Sequence, residues 1–396
     1  MTRLWEKGTS LDAQVLKYTA GDDHVLDSRL VRYDIRASIA HAEMLGEKGL
    51  LLPADLAAIR DALAAIGAEH AAGRWQISLE DEDCQTAIEN LLTARIGAAG
   101  GRLHAGRSRN DQVLAALRLY MRDAAETLSR GADSVADALD ALASRQGEQE
   151  LPGYTHMQQA MPSSVALWAS GFAAELRDDA EGLQLTQRRI GKNPLGSAAG
   201  FGTPNLDISR ESTRRRLGFA VTQEPVTAVQ LSRGKAEAQL LFEITLLTQD
   251  LGRLAADLML FYSQEFGFVS LPAAFTTGSS IMPQKRNPDV FELMRGRSAV
   301  AQAALTEVLG ITQKLTSGYH RDLQLIKPPL FRGIDSCLQT LEILPSALGG
   351  VRFRPENIRL DPAIHAAADA NALVARDGIP FREAYRQVAA KLKDKE

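Results

Sequence analysis

A loop of small, polar residues at positions 276–288, with the sequence TTGSSIMPQKRNP, offers the densest set of groups that could do chemistry. It is rich in hydroxyl groups, and it ends in Asn287 and Pro288, a typical start for an α-helix. Free amides at a helix start attract anions, and Lys285 lies beside them. Asn287 and Pro288 alone would indicate only a well-capped helix. The whole run predicts an anion-binding site.

Three further polar loops adjoin apolar periodic stretches. Their sequences are LHAGRSRNDQV at 103–113, PGYTHMQ at 152–158 and YHRDLQLIK at 319–327. Two arginines beside a capping serine or asparagine suit a dicarboxylate ligand. The alternative, a capped helix with solvated arginines, still fits one of the two. A lone histidine such as His156 is more often structural than catalytic, and Lys327 alone would be a surface charge.

Apolar residues next to these loops recur in steps of three and four. This spacing predicts long helices, which would hold the loops in position. The strongest such pattern covers residues 236–261, where a strand would require steps of two. Similar patterns follow Asp111, Pro162, Pro288 and Phe331. These helices predict an all-α fold with a central bundle packed at shallow angles. Their excess apolar surface predicts a homo-oligomer, and one self-contained bundle is the alternative.

The rest of the chain has shorter helical patterns. Glycines and prolines break the segments at 30–48 and 53–73, and a small helical piece follows Pro355. Strand signals are few, and 219–231 is the best candidate for a short hairpin or an extended connection. We therefore predict an N-terminal helical domain, a central bundle and a short C-terminal domain, at 1–105, 106–354 and 355–396.

Composition narrows the class of protein. The chain is 45% hydrophobic and 24% charged, which excludes intrinsic disorder. Its net charge of −4 argues against a dedicated nucleic-acid or membrane-surface binder. Cys84 and Cys337 lie far apart, and the sequence has no signal-peptide or membrane-spanning pattern. The sequence thus predicts a soluble, cytoplasmic protein with neither nucleic-acid nor membrane partners.

Motifs for common cofactors are missing from the sequence. The 7 histidines include no HExxH pair, and neither GxxxxGK[ST] nor GxSxG occurs. The GxGxxG pattern is broken after Gly202. We therefore expect a protein that needs no metal, nucleotide or other bound cofactor.

The run GSSIMPQKRNPD resembles the signature of the fumarase/aspartase superfamily, lyases that release fumarate from succinyl substrates. The GRSRNDQ and GYTHMQ runs, and the spacing of Tyr319, Gln324 and Lys327, are similar to the argininosuccinate lyase branch. The resemblance implies an all-α, three-domain subunit whose central bundles form a homotetramer, with three subunits building each active site. The implied reaction is β-elimination of argininosuccinate to fumarate and arginine, the last step of arginine biosynthesis.

The resemblance also implies a role for each loop. Ser279 is the base that takes a proton from carbon, and its weakly basic hydroxyl requires activation by Lys285 and nearby amides. Lys285 also holds, together with Asn287, the carboxylate that becomes the aci-form. His156, oriented by Glu292, serves the leaving nitrogen as the acid. The implied substrate-binding residues are Arg107, Ser108, Arg109, Asn110, Thr155, Asn287, Tyr319, Gln324 and Lys327.

Some stretches depart from the family pattern. Many members have a histidine where this chain has Gln85, so we expect that region to line the site without a titrating ring. The usual Asn-Ala-Ser segment is replaced by TAGDD at 19–23, which leaves open whether Asp22 or Asp23 takes over a substrate contact. The C-terminal domain is also expected to be shorter than in the family.

Other functions remain possible on the sequence alone. One is a different fumarate-releasing lyase, of the adenylosuccinate lyase or fumarase type, which the GRSRNDQ run disfavours. Another is a catalytically silent structural relative, which the joint presence of Ser279, Lys285 and His156 disfavours. A helical scaffold without a small-molecule site would leave the four polar loops unexplained.

Overall fold

The computed structural model describes residues 12–393, and it confirms the predicted all-α fold. The helices are α1 (Ala13–Ala20), α2 (Asp23–Leu26), α3 (Val31–Glu47), α4 (Pro53–Ala71), α5 (Cys84–Ile96), α6 (Ala98–Arg102), α7 (Arg109–Gln146), α8 (Val165–Leu185), α9 (Gln187–Ile190), α10 (Arg210–Leu217), α11 (Ala228–Leu231), α12 (Lys235–Tyr262), α13 (Asp289–Thr312), α14 (Lys327–Gly350), α15 (Ala366–Asp377) and α16 (Phe381–Lys393). The short strands are β1 (Glu150–Thr155), β2 (Gln158–Ser164), β3 (Lys192–Asn193), β4 (Val221–Thr222), β5 (Val269–Ser270) and β6 (Arg352–Phe353).

The long helices of the structure lie where the sequence has long helical patterns. The apolar stripe predicted within 236–261 becomes the buried face of α12, where Leu240, Ile244, Leu247, Leu251, Leu254 and Leu258 are buried. Helix α7 begins two residues before Asp111, and α13 begins directly after Pro288. Among the helices of residues 12–393, none has the length and apolar character to cross a membrane.

The chain forms two compact units, and the boundaries between them fall within the long helices. Unit 1 comprises residues 12–127, Gly182–Ile244 and Val300–Asp335. Unit 2 comprises Leu128–Glu181, Thr245–Ala299 and residues 336–393. The division into three domains remains a prediction.

The core of unit 1 is built around α3, which packs against α4, α5 and α10. Helix α4 buries Ile59, Leu63 and Ile66, whose spacing of four and three places them on one face. Leu45 of α3 and Leu92 of α5 are likewise fully buried.

Unit 2 combines an antiparallel hairpin with an aromatic core. Strand β1 pairs with β2, and α8 follows the hairpin directly. The ring of Trp168 lies 5.8 Å from that of Phe261 and 5.9 Å from that of Phe353. Further along the chain, α15 packs against α16 around a small core that includes Ala370 and Val388.

The strand prediction for 219–231 is largely wrong. Only Val221 and Thr222 form a strand, β4, which pairs in parallel with β3, and residues 228–231 form α11. The sequence predicted a polar loop at 152–158, and the structure forms the β1–β2 hairpin there, with Pro152 opposite Pro162. These two prolines face each other in the hairpin register, and neither needs a backbone N–H there.

Candidate active site

The hydroxyl-rich loop of unit 2 is closed at its base by a short backbone bridge. The amide of Thr277 donates to the carbonyl of Asn287 at 3.1 Å, and the amide of Asn287 donates back at 2.9 Å. The expected Asn287 cap is not formed, because the carbonyl of Pro288 accepts the first helical hydrogen bond, from the amide of Phe291 at 2.9 Å. The Asn287 side chain instead approaches the Thr277 hydroxyl at 3.4 Å and the Gly278 carbonyl at 3.5 Å.

Ser279 occupies a turn that surrounds its oxygen with donors. Its Oγ accepts hydrogen bonds from the amides of Ile281 at 3.3 Å and Met282 at 3.2 Å. Both donors are backbone amides, the kind of group that can also face negative charge on this oxygen. Lys285 follows in the same loop and is exposed, with its amide bonded to the Met282 carbonyl at 3.0 Å. The loop thus carries a serine whose oxygen is surrounded by backbone donors.

His156 stands at the tip of the β1–β2 hairpin. Thr155 pairs with Gln158, so His156 and Met157 are the two central residues of the turn. Both have positive φ, 53° and 60°, as the central residues of a type I′ turn require. Residues other than glycine and asparagine rarely adopt this backbone conformation, so the pairing of the two strands must hold the turn in it. Thr155 and His156 are therefore presented to solvent on a defined turn.

Glu292 lies in the first turn of α13, where the helix dipole favours a carboxylate. It is exposed, and among residues 12–393 no hydrogen bond or ion pair joins it to His156. The orientation of His156 by Glu292 therefore stays a prediction for the assembled protein.

Unit 1 brings five of the predicted substrate-binding residues into one pocket. Its lining includes Arg109, Asn110, Tyr319, Gln324 and Lys327. The other residues of the lining are Ala20, Asp23, Glu82, Asp83, Val113, Arg233 and Arg321. The pocket therefore joins the GRSRNDQ segment with the YHRDLQLIK segment, about 200 residues apart in sequence, and it holds charges of both signs.

Lys327 is held between two buried carboxylates. Its Nζ lies 2.6 Å from Asp23 Oδ2 and 2.7 Å from Asp27 Oδ1. Burial raises the pKa of Asp23 to about 7, against the attraction of Lys327, and burial likewise raises the pKa of Asp27. Burial alone would lower the pKa of Lys327, but the attraction of Asp27 and Asp23 outweighs it and raises this pKa. Sequence reasoning named Asp23 only as a candidate, and the structure places it beside Lys327.

Gln324 and Arg321 bind the C-terminal end of α1 at this pocket. The side-chain amide of Gln324 donates to the carbonyls of Thr19 and Ala20, both at 3.0 Å. Arg321 donates to the same Thr19 carbonyl at 2.7 Å and lies 3.5 Å from Glu82. Arg321 and Glu82 were not singled out from sequence, although Arg321 lies within a polar run that was.

The two residues directly before α5, Glu82 and Asp83, form part of the pocket wall. Arg109 lies 3.2 Å from Asp83 and 3.6 Å from Glu82, which both line the pocket. Gln85, by contrast, is buried behind them and donates to Asp34 at 3.0 Å. The absence of a histidine at this position therefore leaves a neutral amide in the interior of unit 1.

Arg107 and Ser108 have structural contacts in unit 1. Arg107 is buried and donates to the Ser38 hydroxyl at 2.8 Å, and it does not line the pocket. Ser108 Oγ accepts from the Asn110 amide at 3.3 Å, as an N-cap does for α7. A direct substrate contact by either residue remains a prediction.

Asp111 anchors the same helix start from inside. Its two carboxylate oxygens accept hydrogen bonds from the amides of Ser108, Gly196 and Ala198, each at 2.9 Å. Burial raises the pKa of Asp111 to about 6, and these three bonds oppose that rise. The carboxylate thus ties the GRSRNDQ segment to the 196–198 segment.

Replacing Asp111 with asparagine is expected to destabilise the fold by about 1–3 kcal/mol. An amide has one oxygen, so at least one of the three backbone donors would face an NH₂ group. Urea unfolding followed by circular dichroism measures the loss, and the exposed Asp61→Asn is the matched control. An Asp111→Asn midpoint equal to that of the control would show that the three bonds contribute little.

The described part of the chain, residues 12–393, contains no group of three or more His, Cys, Asp or Glu side chains arranged to hold a metal ion.

Comparison with known proteins identifies the class. A family model described as "Lyase" matches residues 12–303, and the chain belongs to this family. In fold, the chain is similar to EDDS lyase in complex with formate, with a TM-score of 0.80 at 25% identity over 96% of this chain and 76% of that one. A fumarate lyase from Mesorhizobium sp. BNC1 has the same fold, with a TM-score of 0.75 at 23% identity over 98% of this chain and 89% of that one.

Sequence relatives define the branch. The chain is 49% identical to the argininosuccinate lyase of Sorangium cellulosum (strain So ce56), over 98% of this chain and 90% of that protein. It is 44% identical to the argininosuccinate lyase of Stenotrophomonas maltophilia (strain R551-3), with the same two coverages. The resemblance inferred from the polar loops is therefore confirmed.

Proposed function

We propose that the chain catalyses the β-elimination of L-argininosuccinate to fumarate and L-arginine, the last step of arginine biosynthesis. One observation carries this assignment: Arg109 and Asn110 line the same pocket as Tyr319, Gln324 and Lys327. The pocket includes both acidic and basic groups, which suits the zwitterionic amino-acid end of such a substrate. Family membership and the names of the relatives support the same reaction.

The base in this proposal is Ser279. Its alkoxide, stabilised by the amides of Ile281 and Met282, removes the proton from the carbon next to a substrate carboxylate. Lys285 and Asn287 bind that carboxylate and stabilise the dianion that forms. The electron pair of the broken C–H bond then forms the carbon–carbon double bond of fumarate as the C–N bond breaks.

The acid in this proposal is His156. The leaving guanidino nitrogen keeps the electron pair of the broken C–N bond and takes a proton from the ring of His156, so arginine departs with its guanidinium group protonated. The exposed position of His156 at a hairpin tip leaves its ring accessible to a ligand. Thr155 beside it, and Glu292 acting on the ring, complete the acid side of the mechanism.

We further propose that the protein is a homotetramer in which each active site combines loops from different copies. Several long helices leave large apolar side chains exposed, and an interface with another copy of the chain would bury them. Examples are Phe242 on α12, Leu293 and Leu309 on α13, and Ile343 on α14. Assembly then brings polar loops of different copies of the chain together.

A cytoplasmic location completes the proposal. Cys84 and Cys337 are both free thiols and both buried, as is usual for proteins in a reducing compartment.

The function is tested by incubating the purified protein with argininosuccinate, adenylosuccinate and malate and following fumarate by its ultraviolet absorbance. We expect rapid fumarate release from argininosuccinate alone. Release from adenylosuccinate or malate at a comparable rate would replace the assignment with another lyase of the superfamily. No release from any of the three would indicate a silent structural relative.

A further inference from the structure

Unit 1 contains a second cleft, separate in its lining from the substrate pocket and of about 320 Å³. It is lined by Arg118, Arg189, Lys192, Gln223, Ala228, Leu231, Ser232, Lys235 and Ala236. Every charged residue of this lining is a cation, whereas the substrate pocket mixes both signs. The proposed reaction uses none of these residues.

Three of the cations have no carboxylate to neutralise them. Among residues 12–393, Arg189, Lys192 and Lys235 form no ion pair, although Arg210 and Arg216 of the same unit each pair with a glutamate. Unpaired cations around one concave surface create a local positive potential that attracts anions.

Buried charge behind the cleft adds to this potential. Arg118 is 1% exposed, and its guanidinium donates to the Lys192 carbonyl at 2.5 Å, Gln223 at 2.7 Å and the Ser232 hydroxyl at 2.8 Å. Burial lowers the pKa of Arg118 to about 10, and the attraction of Glu237 works against this lowering. The guanidinium is thus fixed in place as a permanent charge at the floor of the cleft.

The start of α12 contributes to the same surface. Lys235 and Ala236 are the first two residues of this 28-residue helix, and both line the cleft. The first amides of a helix lack partners within the helix and carry its positive dipole end. The amide of Lys235 already donates to the Ser232 carbonyl at 3.1 Å. An anion seated here would therefore meet the amides that follow Lys235 in the first turn, together with unpaired side-chain cations, which is the combination that binds phosphoryl groups.

We propose that this cleft binds a small multivalent oxyanion of the phosphate class, either inorganic phosphate or the phosphoryl group of a metabolite. Three flexible cations and a helix start favour a compact anion with several oxygens over a singly charged carboxylate. The site is distinct from the substrate pocket, so its occupant is an effector and not a reactant.

A buried pair of arginines connects this cleft to the substrate pocket. Ser232 and Lys235 line the cleft, while Arg233, between them in sequence, lines the substrate pocket. Arg233 Nε lies 4.0 Å from Glu237 Oε1, and its Nε and Nη1 are buried without a hydrogen-bond partner among the described residues. Glu237 also attracts Arg118, so one buried carboxylate serves both guanidinium groups. An anion in the cleft therefore lowers the positive potential that Arg233 offers to an anionic substrate.

Calorimetric titration of the full-length protein with inorganic phosphate, and separately with pyrophosphate, tests the binding. Chloride holds the ionic strength constant. We expect saturable binding that the double variant Arg189→Gln/Lys235→Gln weakens about tenfold or more, because two of the charges are lost. Arg188→Gln, next to Arg189 but outside the cleft lining, is the matched control and should bind as the unmodified protein does.

Three outcomes would overturn the proposal. One is the lack of saturable binding of either anion at millimolar concentration. Another is binding that the double variant does not weaken. The third is stronger binding of fumarate than of phosphate, again lost in the double variant, which would assign the cleft to a dicarboxylate. Sedimentation of the double variant is measured in parallel, because loss of assembly without phosphate binding would show that another copy of the chain covers these cations.

The regulatory consequence rests on the proposed lyase function, whereas phosphate binding does not. We expect phosphate to raise KM for argininosuccinate severalfold with kcat unchanged, and the double variant to lose this effect. An equal KM with and without phosphate, despite calorimetric binding, would remove the coupling through Arg233. A purified protein that binds phosphate but releases no fumarate would contradict the lyase function alone.

Discussion

Replacing Ser279 with alanine is expected to reduce fumarate release from argininosuccinate by about 10²–10⁴-fold, the contribution typical of a positioned base. Two backbone amides donate to this hydroxyl oxygen, and alanine leaves no oxygen there. The loop itself should persist, because its closing bonds join the backbones of Thr277 and Asn287. Initial rates at saturating substrate, followed by fumarate absorbance, measure the effect.

Ser280 provides the matched control for this prediction. It is the neighbouring serine and is exposed, and it has no assigned role in the elimination. Ser280→Ala should keep kcat within about threefold of the unmodified protein, well short of the loss of a base. Both variants should show the same sedimentation and helical content. A Ser279→Ala protein with normal turnover would remove Ser279 from the role of base and leave the loop as a binding element.

The helices of this protein could be predicted because their signal is local. The apolar stripe of α12 repeats every three or four residues, and its buried face follows that stripe. The β1–β2 hairpin carries no such repeat. Its register shifts between Gly153 and Tyr154, and its turn uses His156 and Met157 where glycine or asparagine is usual. The sequence patterns that usually predict a hairpin are therefore absent from this segment.

Candidate site residues could be named from sequence, but their partners could not. The family resemblance implied a binding role for Lys327, yet its two carboxylate neighbours lie about 300 residues earlier in the chain. No local pattern connects residues so far apart, and only the packing of unit 1 brings them together. For Arg107 the sequence could not predict where the side chain would lie. It enters the interior, whereas Arg109, two residues further on, lines the pocket.

Replacing Lys327 with methionine is expected to destabilise the protein by about 3–5 kcal/mol, the range observed when one partner of a buried ion pair is removed. Methionine nearly matches the length of the side chain, so the loss is one of charge and not of volume. The carboxylates of Asp23 and Asp27 would then face each other in the interior without a cation. Urea unfolding measures the change, and Lys314→Met, an exposed lysine of the same unit, should shift stability by less than about 0.5 kcal/mol.

The deficit of Lys327→Met should depend on pH in a defined direction. A carboxyl group whose pKa is raised by folding favours the folded state below its unfolded value and loses that contribution as the pH rises through the folded value. Burial raises the pKa of Asp23 from 3.8 to about 7 even with Lys327 present, and removal of the cation raises it further. The variant should therefore approach the stability of the unmodified protein below about pH 5 and fall furthest behind above about pH 8.

A second substitution separates charge from packing. Asp27→Asn in the Lys327→Met background removes one of the two uncompensated charges and should restore part of the lost stability near neutral pH. Because Lys327 lines the substrate pocket, neither variant should recover normal KM for argininosuccinate. A single variant as stable as Lys314→Met at every pH would mean that Asp23 and Asp27 reach solvent or share a proton once the lysine is gone. In that case, the ion pair would act in ligand binding and not in folding.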